Sequence, residues 1–213
     1  MPATAKICGL TTPETIDAAI KGGASHIGLN FFPPSPRHVE IDQVRALAAR
    51  MPSHVQAVGV FVDPDERLVA DAMQAAGLSV IQLHGSESPD RVAELKRLTG
   101  LETWKVLSIR TRADLERARD YRGAVDLLLY DAKTPPGSAL PGGMGLRFDW
   151  TLLDGFDHPL PWGLSGGLEP GNVADAIHRT ATRMVDVSSG VETAPGVKDP
   201  ELIRAFLRAV EAA

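Results

Sequence analysis

The sequence predicts an α/β protein that folds as a single (β/α)₈ TIM barrel domain over residues 1–213. Eight short apolar runs alternate with segments of helical periodicity, the order that parallel strands and crossover helices require. Several runs are apolar throughout, as expected for strands that helices cover. The same alternation is compatible with an open doubly wound sheet. Eight repeats, with no linker rich in proline, glycine and serine between them, favour one closed barrel.

The predicted strands are spread along the whole chain. They occupy residues 5–8, 26–31, 55–62, 79–83, 103–107, 125–130, 160–164 and 184–187. In a barrel of this class the functional site lies at the carboxyl ends of the strands. The residues that follow each run are therefore the candidates for chemistry.

The predicted helices are recognised by their starts, apolar faces and ends. Four starts combine a capping residue with a proline that fits the first helical turn: Thr12-Pro13, Asp63-Pro64, Ser88-Pro89 and Asp199-Pro200. Apolar residues at spacings of three and four define one face of the third and last helices: Leu68, Val69, Ala72, Met73 and Ala76, and Leu202, Ile203, Phe206, Leu207 and Val210. Glycines after Lys21 and Ala76 are typical of helix ends.

The composition narrows the functional classes. A net charge of −5 argues against nucleic acid and anionic membranes as partners, and no apolar stretch suits a membrane span or a signal peptide. A single cysteine permits no internal disulfide, which fits a reducing, cytoplasmic location. The chain has no Gly-Lys phosphate loop and no histidine spacing typical of zinc. We therefore do not expect a nucleotide-dependent enzyme or a zinc enzyme.

Cys8, the only cysteine, closes the first predicted strand just before the loop that opens the first helix. Strand ends of this kind often carry catalytic groups in α/β proteins. The alternative is a small buried hydrophobic group without chemistry, which is the commoner role of a lone cysteine. The residues around Cys8 leave both interpretations open.

Two polar side chains follow the second and fourth predicted strands. Arg37 lies in a loop stiffened by three prolines, where its guanidinium could bind a carboxylate through two parallel hydrogen bonds. His84 follows Gln82 with the alternation that puts both side chains on one strand face. The alternatives are structural: Arg37 as an exposed loop residue without a partner, and His84 as a group that ties down its loop.

Asp131 closes the sixth apolar run, where a carboxylate costs desolvation energy unless it is paired or used. It is therefore a candidate general acid or base, and the alternative is an aspartate that caps a helix or anchors a loop. The segment that follows, 132–148, is rich in glycine and proline. A loop of this length is usually functional or mobile, and it could exclude water from a site.

Glycines and serines follow the last two predicted strands. Ser165-Gly166-Gly167 comes after the seventh strand, and Ser188-Ser189-Gly190 comes after the eighth. In such turns backbone N–H groups point outward. Because glycine has no Cβ, a phosphate oxygen can approach these groups closely. Either turn alone is weak evidence, but two of them at neighbouring strands predict a phosphate site.

Six groups of short motifs follow one another in order along the chain. They are Lys6-Ile7-Cys8-Gly9; Gly28-Leu29-Asn30-Phe31-Phe32 with Ser35-Pro36-Arg37; Gln82-Leu83-His84-Gly85; Gly142-Gly143-Met144-Gly145 with Phe148-Asp149-Trp150; Ser165-Gly166-Gly167-Leu168 with Pro170 and Asn172-Val173; and Asp186-Val187-Ser188-Ser189-Gly190-Val191-Glu192 with Pro195-Gly196 and Lys198-Asp199. This set resembles the phosphoribosylanthranilate isomerase family. The resemblance implies a barrel enzyme of tryptophan biosynthesis that converts N-(5-phosphoribosyl)anthranilate into its 1-deoxyribulose 5-phosphate isomer, without a cofactor.

The resemblance also implies roles for individual residues. Cys8 is expected to act as general base, Asp131 as general acid, and Arg37 to lie near the anthranilate carboxylate. The substrate phosphate is expected on Gly166, Gly167, Ser188, Ser189 and Gly190. The resemblance also implies a monomer or a homodimer.

Three further expectations concern the neighbours of these groups. Asp186 is expected to bind the substrate or polarise its amine, and His84 to bind substrate or hold its loop. A thiolate at Cys8 needs neighbours that lower its pKa. Lys6, two residues earlier on the same strand face, is one candidate for that role.

The glycine-rich loop departs from the family pattern, which usually reads Gly-Gly-Thr-Gly followed by lysine or a similar residue. Met144 and Leu146 stand at those positions, so no threonine hydroxyl is present there. Two rival functions remain: another phosphosugar barrel enzyme, such as an indole-glycerol-phosphate synthase or an epimerase, and a catalytically silent barrel that binds a phosphosugar or a protein. The lysine-glutamate pair or metal of the first is not recognisable at these strand ends, and intact Cys8 and Asp131 argue against the second.

Overall fold

The structure is a computed structural model that describes residues 2–135, 137, 138 and 141–213. Eight parallel strands pair in sequence order, and the last pairs with the first to close a barrel. They are β1 (Thr4–Cys8), β2 (His26–Asn30), β3 (Gln56–Phe61), β4 (Val80–Leu83), β5 (Glu102–Ile109), β6 (Leu127–Ala132), β7 (Trp162–Leu164) and β8 (Met184–Val187). The predicted TIM barrel is confirmed, and the open-sheet alternative is wrong.

Helices cover the outside of the barrel and pack against its strands through the predicted apolar faces. They are α1 (Pro13–Lys21), α2 (Ile41–Ala48), α3 (Glu66–Ala76), α4 (Pro89–Thr99), α5 (Arg112–Glu116), α6 (Val173–Thr180) and α7 (Pro200–Glu211). Three predicted caps accept hydrogen bonds from N–H groups of the first turn: Thr12, Ser88 and Asp199. In the described part of the chain, no helix combines the length and apolar character that crossing a membrane needs.

The start of α3 was predicted wrongly at Asp63-Pro64. The N-cap is Asp65, whose carboxylate accepts a hydrogen bond from the Leu68 N–H at 2.7 Å. Asp63 instead has a left-handed backbone, with φ at +45°. Its carboxylate accepts hydrogen bonds from the N–H and hydroxyl of Ser86, so it joins two loops at the barrel mouth.

The strict alternation of strand and helix fails after β6. Between β6 and β7 the described residues form no α-helix and only a short 3₁₀ helix, Trp150–Leu153. The sequence explains this, because the segment carries several glycines and prolines, which weaken or break helices. A glycine-rich loop therefore takes the place of a long crossover helix beside Asp131.

The interior of the barrel is a packed apolar plug and not a pore. It consists of Cys8, Val58, Val60, Val80, Trp104, Val106, Leu129 and Met184. Side chains alternate across each strand, so the period that puts Leu129 and Met184 in the plug carries Asp131 and Asp186 to its upper end. The plug thus forms a rigid floor for the barrel mouth.

A short hairpin follows β8. After a 3₁₀ turn at Ser189–Val191, strands β9 (Glu192–Ala194) and β10 (Val197–Lys198) pair antiparallel, and Lys198 lies opposite Glu192. Gly196 turns the hairpin with φ at +82°, and a Cβ on it would lie 2.5 Å from the Pro36 carbonyl oxygen. The hairpin therefore packs tightly on the loop between β2 and α2.

Candidate active site

A cavity that is partly open to solvent lies at the carboxyl ends of the barrel strands. Most of the predicted site residues line it: Cys8, Arg37, His84, Asp131, Gly166, Gly167, Asp186, Ser188 and Ser189. The barrel closure therefore brings together candidates from both ends of the chain. Within the described residues, no three His, Cys, Asp or Glu side chains are grouped so that they could hold a metal ion.

Cys8 ends β1 as predicted, and its thiol lies between the interior plug and the cavity. Its neighbour on β2 is Gly28, where a Cβ would lie only 2.8 Å from the Cys8 Sγ. Burial raises the pKa of the thiol and outweighs the opposite effect of the Lys6 ammonium group. Lys6 therefore acts in the predicted direction, but its effect on the pKa of the thiol is smaller than that of burial.

The positive charge of Lys6 is balanced by the carboxylate of Asp186. Its Nζ lies 2.8 Å from Asp186 Oδ1, and both side chains are buried. Asp186 Oδ2 also accepts a hydrogen bond from the Ser165 hydroxyl at 3.4 Å. The Asp186 carboxylate itself raises the pKa of Cys8, so this buried ion pair gives the thiol less help than a free lysine would.

Asp131 lies inside β6, one residue before its end, and is buried. Its Oδ1 accepts a hydrogen bond from the Ala132 N–H at 2.7 Å. Its Oδ2 lies 3.4 Å from His84 Nε2, close enough for an electrostatic contact but not aligned as a hydrogen bond. That nitrogen has no hydrogen-bond partner among the described residues. It is therefore able to form a hydrogen bond with a molecule bound in the cavity.

Glycines make room for the Asp131 carboxylate. A Cβ on Gly142 would lie 2.6 Å from Oδ2 and 2.9 Å from His84 Nε2, and a Cβ on Gly166 would lie 2.6 Å from Oδ1. The glycine-rich loop and the turn after β7 can thus approach the carboxylate this closely only because each has a glycine there.

If Asp131 is the expected general acid, Gly142→Ala should lower kcat by about tenfold or more, because displacing a catalytic group by even one ångström is costly. Gly142 has no left-handed backbone, so the fold should tolerate the methyl group. Steady-state kinetics with circular dichroism would measure both effects. Gly171→Ala is the matched control, since a Cβ there would meet nothing closer than 3.9 Å. An unchanged kcat in Gly142→Ala would contradict the assigned geometry.

Arg37 makes the predicted bidentate contact, but with a carboxylate of the protein itself. Its Nε and Nη2 donate to Glu192 Oε1 and Oε2 at 2.7 and 2.8 Å. Nη2 also donates to the Gly143 carbonyl at 3.0 Å, which joins Arg37 to the glycine-rich loop. The structural alternative of an exposed arginine without a partner is wrong, because the side chain is only 5% exposed.

The two predicted phosphate turns lie side by side at the cavity. Gly166 and Gly167 have φ values of +85° and +64°, in the left-handed region that favours glycine. The N–H groups of Gly167 and Ser189 donate no hydrogen bond to any residue that the structure describes. Free N–H groups at adjacent turns are suited to phosphate oxygens.

Gly190 differs from the other predicted phosphate ligands because it does not belong to the cavity lining. A Cβ on Gly190 would lie 1.9 Å from the Leu168 carbonyl oxygen. Glycine is therefore needed there so that the turn after β8 can pack on the turn after β7. A contact between Gly190 and phosphate stays a prediction.

The sequence reasoning assigned no role to four polar residues at or near the cavity. Asn30 and Gln82 line it, and Gln82 Oε1 is buried without a hydrogen-bond partner among the described residues. Glu192 and Lys198 lie behind the cavity wall, in contact with Arg37 and Ser188. Gln82 could have been predicted to reach the cavity, because it lies on the same strand face as His84. No local feature of the sequence predicts that Glu192 and Lys198 are buried.

The same family is found by comparison with known proteins. The family model described as N-(5'phosphoribosyl)anthranilate (PRA) isomerase matches residues 5–209. The N-(5'-phosphoribosyl)anthranilate isomerase of Zymomonas mobilis subsp. pomaceae is 51% identical over 211 residues, which cover 99% of each chain. The similarity therefore extends over the whole barrel.

Solved structures agree at lower identity. Generated monomers of the dimeric phosphoribosylanthranilate isomerase from Thermotoga maritima are 32% identical, with a TM-score of 0.85 over 99% of this chain and 100% of theirs. A phosphoribosyl anthranilate isomerase in complex with reduced 1-(o-carboxyphenylamino)-1-deoxyribulose 5-phosphate is 31% identical, with a TM-score of 0.86 and the same coverage. Backbone geometry and sequence thus point to one family.

Proposed function

Because this chain belongs to the N-(5'-phosphoribosyl)anthranilate isomerase family, we propose that it works with Asp131 as general acid and Cys8 as general base. The reaction converts N-(5-phosphoribosyl)anthranilate into 1-(2-carboxyphenylamino)-1-deoxyribulose 5-phosphate, an Amadori rearrangement of L-tryptophan biosynthesis. The observation that carries the activity is the family match over residues 5–209. The roles are supported by the presence of both side chains in one cavity, on β1 and β6.

Asp131 acts first. Its carboxyl group gives a proton to the ring oxygen of the ribose, the bond between this oxygen and C1 breaks, and a protonated Schiff base forms between C1 and the anthranilate nitrogen. Proton transfer by a positioned acid is typically worth about 10²- to 10⁴-fold in rate. The contact with His84 and the two glycines that enclose the carboxylate support a fixed orientation for this step.

Cys8 acts second. Its thiolate removes the proton from C2, and the electron pair of that C–H bond forms the C1–C2 double bond of an enolamine. Protonation at C1 and loss of the C2 hydroxyl proton then give the ketone. Acid and base reach the sugar from different sides of the mouth, because β1 and β6 are not neighbours in the barrel.

Because burial raises the pKa of Cys8, the thiolate needs an additional positive charge nearby at the moment when it acts as the base. A positive charge placed beside a thiol lowers the pKa of that thiol. The protonated Schiff base is such a charge, and it forms only after Asp131 has acted. This charge stabilises the thiolate at the stage at which the base acts, and the thiol proton leaves to solvent through the open side of the cavity.

Three groups of residues bind the ends and the middle of the substrate. Arg37 binds the anthranilate carboxylate through Nη1, the guanidinium nitrogen that has no hydrogen-bond partner among the described residues. Gly166, Gly167, Ser188, Ser189 and Gly190 bind the phosphate. His84 and Asp186 contact the sugar or the amine between these ends, where both line the cavity.

The chain works as one barrel domain in the cytoplasm, as a monomer or a homodimer, without a nucleic-acid or membrane partner. The single cysteine and the negative net charge support this assignment. The Thermotoga maritima relative, described as dimeric, supports the homodimer as one of the two forms.

Turnover of N-(5-phosphoribosyl)anthranilate, made in situ and followed by the loss of its fluorescence, tests the proposal. We expect rapid conversion without added metal or nucleotide. Iodoacetamide at alkaline pH should abolish conversion once mass spectrometry shows one modified thiol, because only the thiolate reacts. Conversion that survives complete alkylation would exclude Cys8 as the base. Folded protein that binds phosphosugar without turnover would instead favour a silent barrel.

A further inference from the structure

Glu192 holds two cations that come from different parts of the barrel mouth. Its Oε1 lies 2.7 Å from both Arg37 Nε and Lys198 Nζ. Its Oε2 accepts hydrogen bonds from Arg37 Nη2 at 2.8 Å and from the Gly196 N–H at 3.3 Å. The three charged side chains are each 5% exposed or less. All contacts of this cluster are therefore largely shielded from water.

Each cation also contacts a wall of the cavity. Arg37 lines the cavity and donates to the Gly143 carbonyl of the glycine-rich loop. Lys198 donates to the carbonyl oxygen of Ser188 at 2.9 Å and to its hydroxyl at 3.1 Å. Neither Glu192 nor Lys198 belongs to the cavity lining, so both act through the residues that they hold.

The fold places this carboxylate with little freedom. Glu192 and Lys198 are cross-strand neighbours in the hairpin of β9 and β10. The turn of that hairpin packs on Pro36, the residue before Arg37, at a distance that only glycine at position 196 allows. The hairpin thus joins the loop after β2 to the turn after β8.

The cluster contains two positive charges and one negative charge. Burial lowers the pKa of Lys198 to about 8 although Glu192 opposes this, and the other charged groups acting on Lys198 are Cys8 and Arg37. Burial opposes ionisation of Glu192 as well, but hydrogen bonds from Arg37 and the charge of Lys198 lower its pKa to about 2. An ionised Glu192 therefore leaves one positive charge in excess beside a cavity proposed to take a carboxylate and a phosphate.

We propose that Glu192 is a positioning residue that sets both anion-binding ends of the substrate site. It orients Arg37 so that Nη1 is left for the substrate carboxylate, and it orients Lys198 so that the Ser188 turn keeps the shape that phosphate needs. This inference rests on the proposed function, because it assumes a substrate that carries one anion at each end. One buried carboxylate thus positions a cation at each of the two ends.

Glu192→Gln tests the proposal because it keeps the volume of the side chain and removes its charge. Two buried cations would then face a neutral amide and repel each other, so Arg37 and Lys198 should both leave their positions. We expect KM to rise about 10- to 100-fold with kcat much less affected, the pattern of lost binding that ground state and transition state share. Glu192→Asp, which keeps the charge, should recover part of the loss.

Binding of two separate probes distinguishes a joint role from a single contact. Glu192→Gln should weaken the binding of both inorganic phosphate and anthranilate, each measured by calorimetry. Arg37→Lys should weaken only anthranilate, and Lys198→Met only phosphate. Weakening of one probe alone in Glu192→Gln, or of neither, would overturn the proposal.

The controls separate this inference from its premise and from general damage. Asp126→Asn removes another lysine-paired carboxylate, 2.6 Å from Lys96 Nζ, at the opposite end of the barrel. It should lower the thermal denaturation temperature without changing KM or probe binding. Wild-type protein that binds both probes but does not turn over would refute the proposed activity and leave the role of Glu192 testable. If Glu192→Gln does not fold, weakened binding of both probes in Glu192→Asp supports the proposal, and unchanged binding overturns it.

Discussion

Cys8→Ala lowers kcat by about 10³-fold in our expectation, while the barrel stays folded. The C2 proton then has no acceptor, because the other charged groups nearest the thiol, Lys6 and Asp186, are bound to each other. Cys8→Ser should be nearly as slow, since a hydroxyl is a far weaker acid than a thiol and stays protonated. The fluorescence assay measures kcat, and circular dichroism with thermal denaturation reports the fold.

A matched control addresses the loss of packing at Cys8. Val106 belongs to the same interior plug but does not line the cavity. Val106→Ala should cost stability, on the order of 1–3 kcal/mol for buried methyl groups, without a comparable fall in kcat. A Cys8→Ala variant with near-normal turnover would show that another group removes the C2 proton.

Asp131→Asn should lower kcat by a similar factor, about 10³-fold, because an amide cannot deliver the proton that opens the ribose ring. The substitution keeps the shape of the side chain, and the amide oxygen can still accept the hydrogen bond of the Ala132 N–H. Ring opening should become the slow step, so KM should change much less than kcat. Steady-state kinetics at several substrate concentrations would separate the two parameters.

An aspartate-to-asparagine substitution at the opposite end of β6 provides the control for Asp131→Asn. Asp126 directly precedes β6 and pairs with Lys96 at 2.6 Å, far from the cavity lining. Asp126→Asn should therefore leave kcat unchanged. Equal loss of kcat in both variants would point to general damage of β6, and normal turnover of Asp131→Asn would exclude Asp131 as the acid.

Local patterns were sufficient for most of the fold. Apolar runs and helical periodicity predicted the eight strands, and capping residues such as Thr12 and Ser88 predicted helix starts, because these features depend on neighbours a few residues away. The same local logic failed at Asp63. Two aspartates on either side of Pro64, Asp63 and Asp65, can each cap a helix, and only the contact of Asp63 with Ser86 on another loop decides which one does so.

Local patterns also predicted which residues reach the cavity, because a barrel places the ends of all its strands at one mouth. Cys8 and Asp131 were identified in this way, as were the two turns that start with Ser165 and Ser188. The contacts that hold these side chains in place were not predicted. The pairing of Asp131 with His84 and the ion pair of Arg37 with Glu192 join segments that are far apart in the sequence.

The sequence by itself determined the class of fold, the eight strands, most of the helices, and most of the side chains that meet at the barrel mouth. Only the tertiary structure decided their electrostatic state. The pKa of Cys8 is raised because the cost of desolvating the thiolate exceeds the attraction of Lys6. That balance depends on how deeply each group is buried and on which distant charge it contacts, and neither quantity can be obtained from neighbours along the chain.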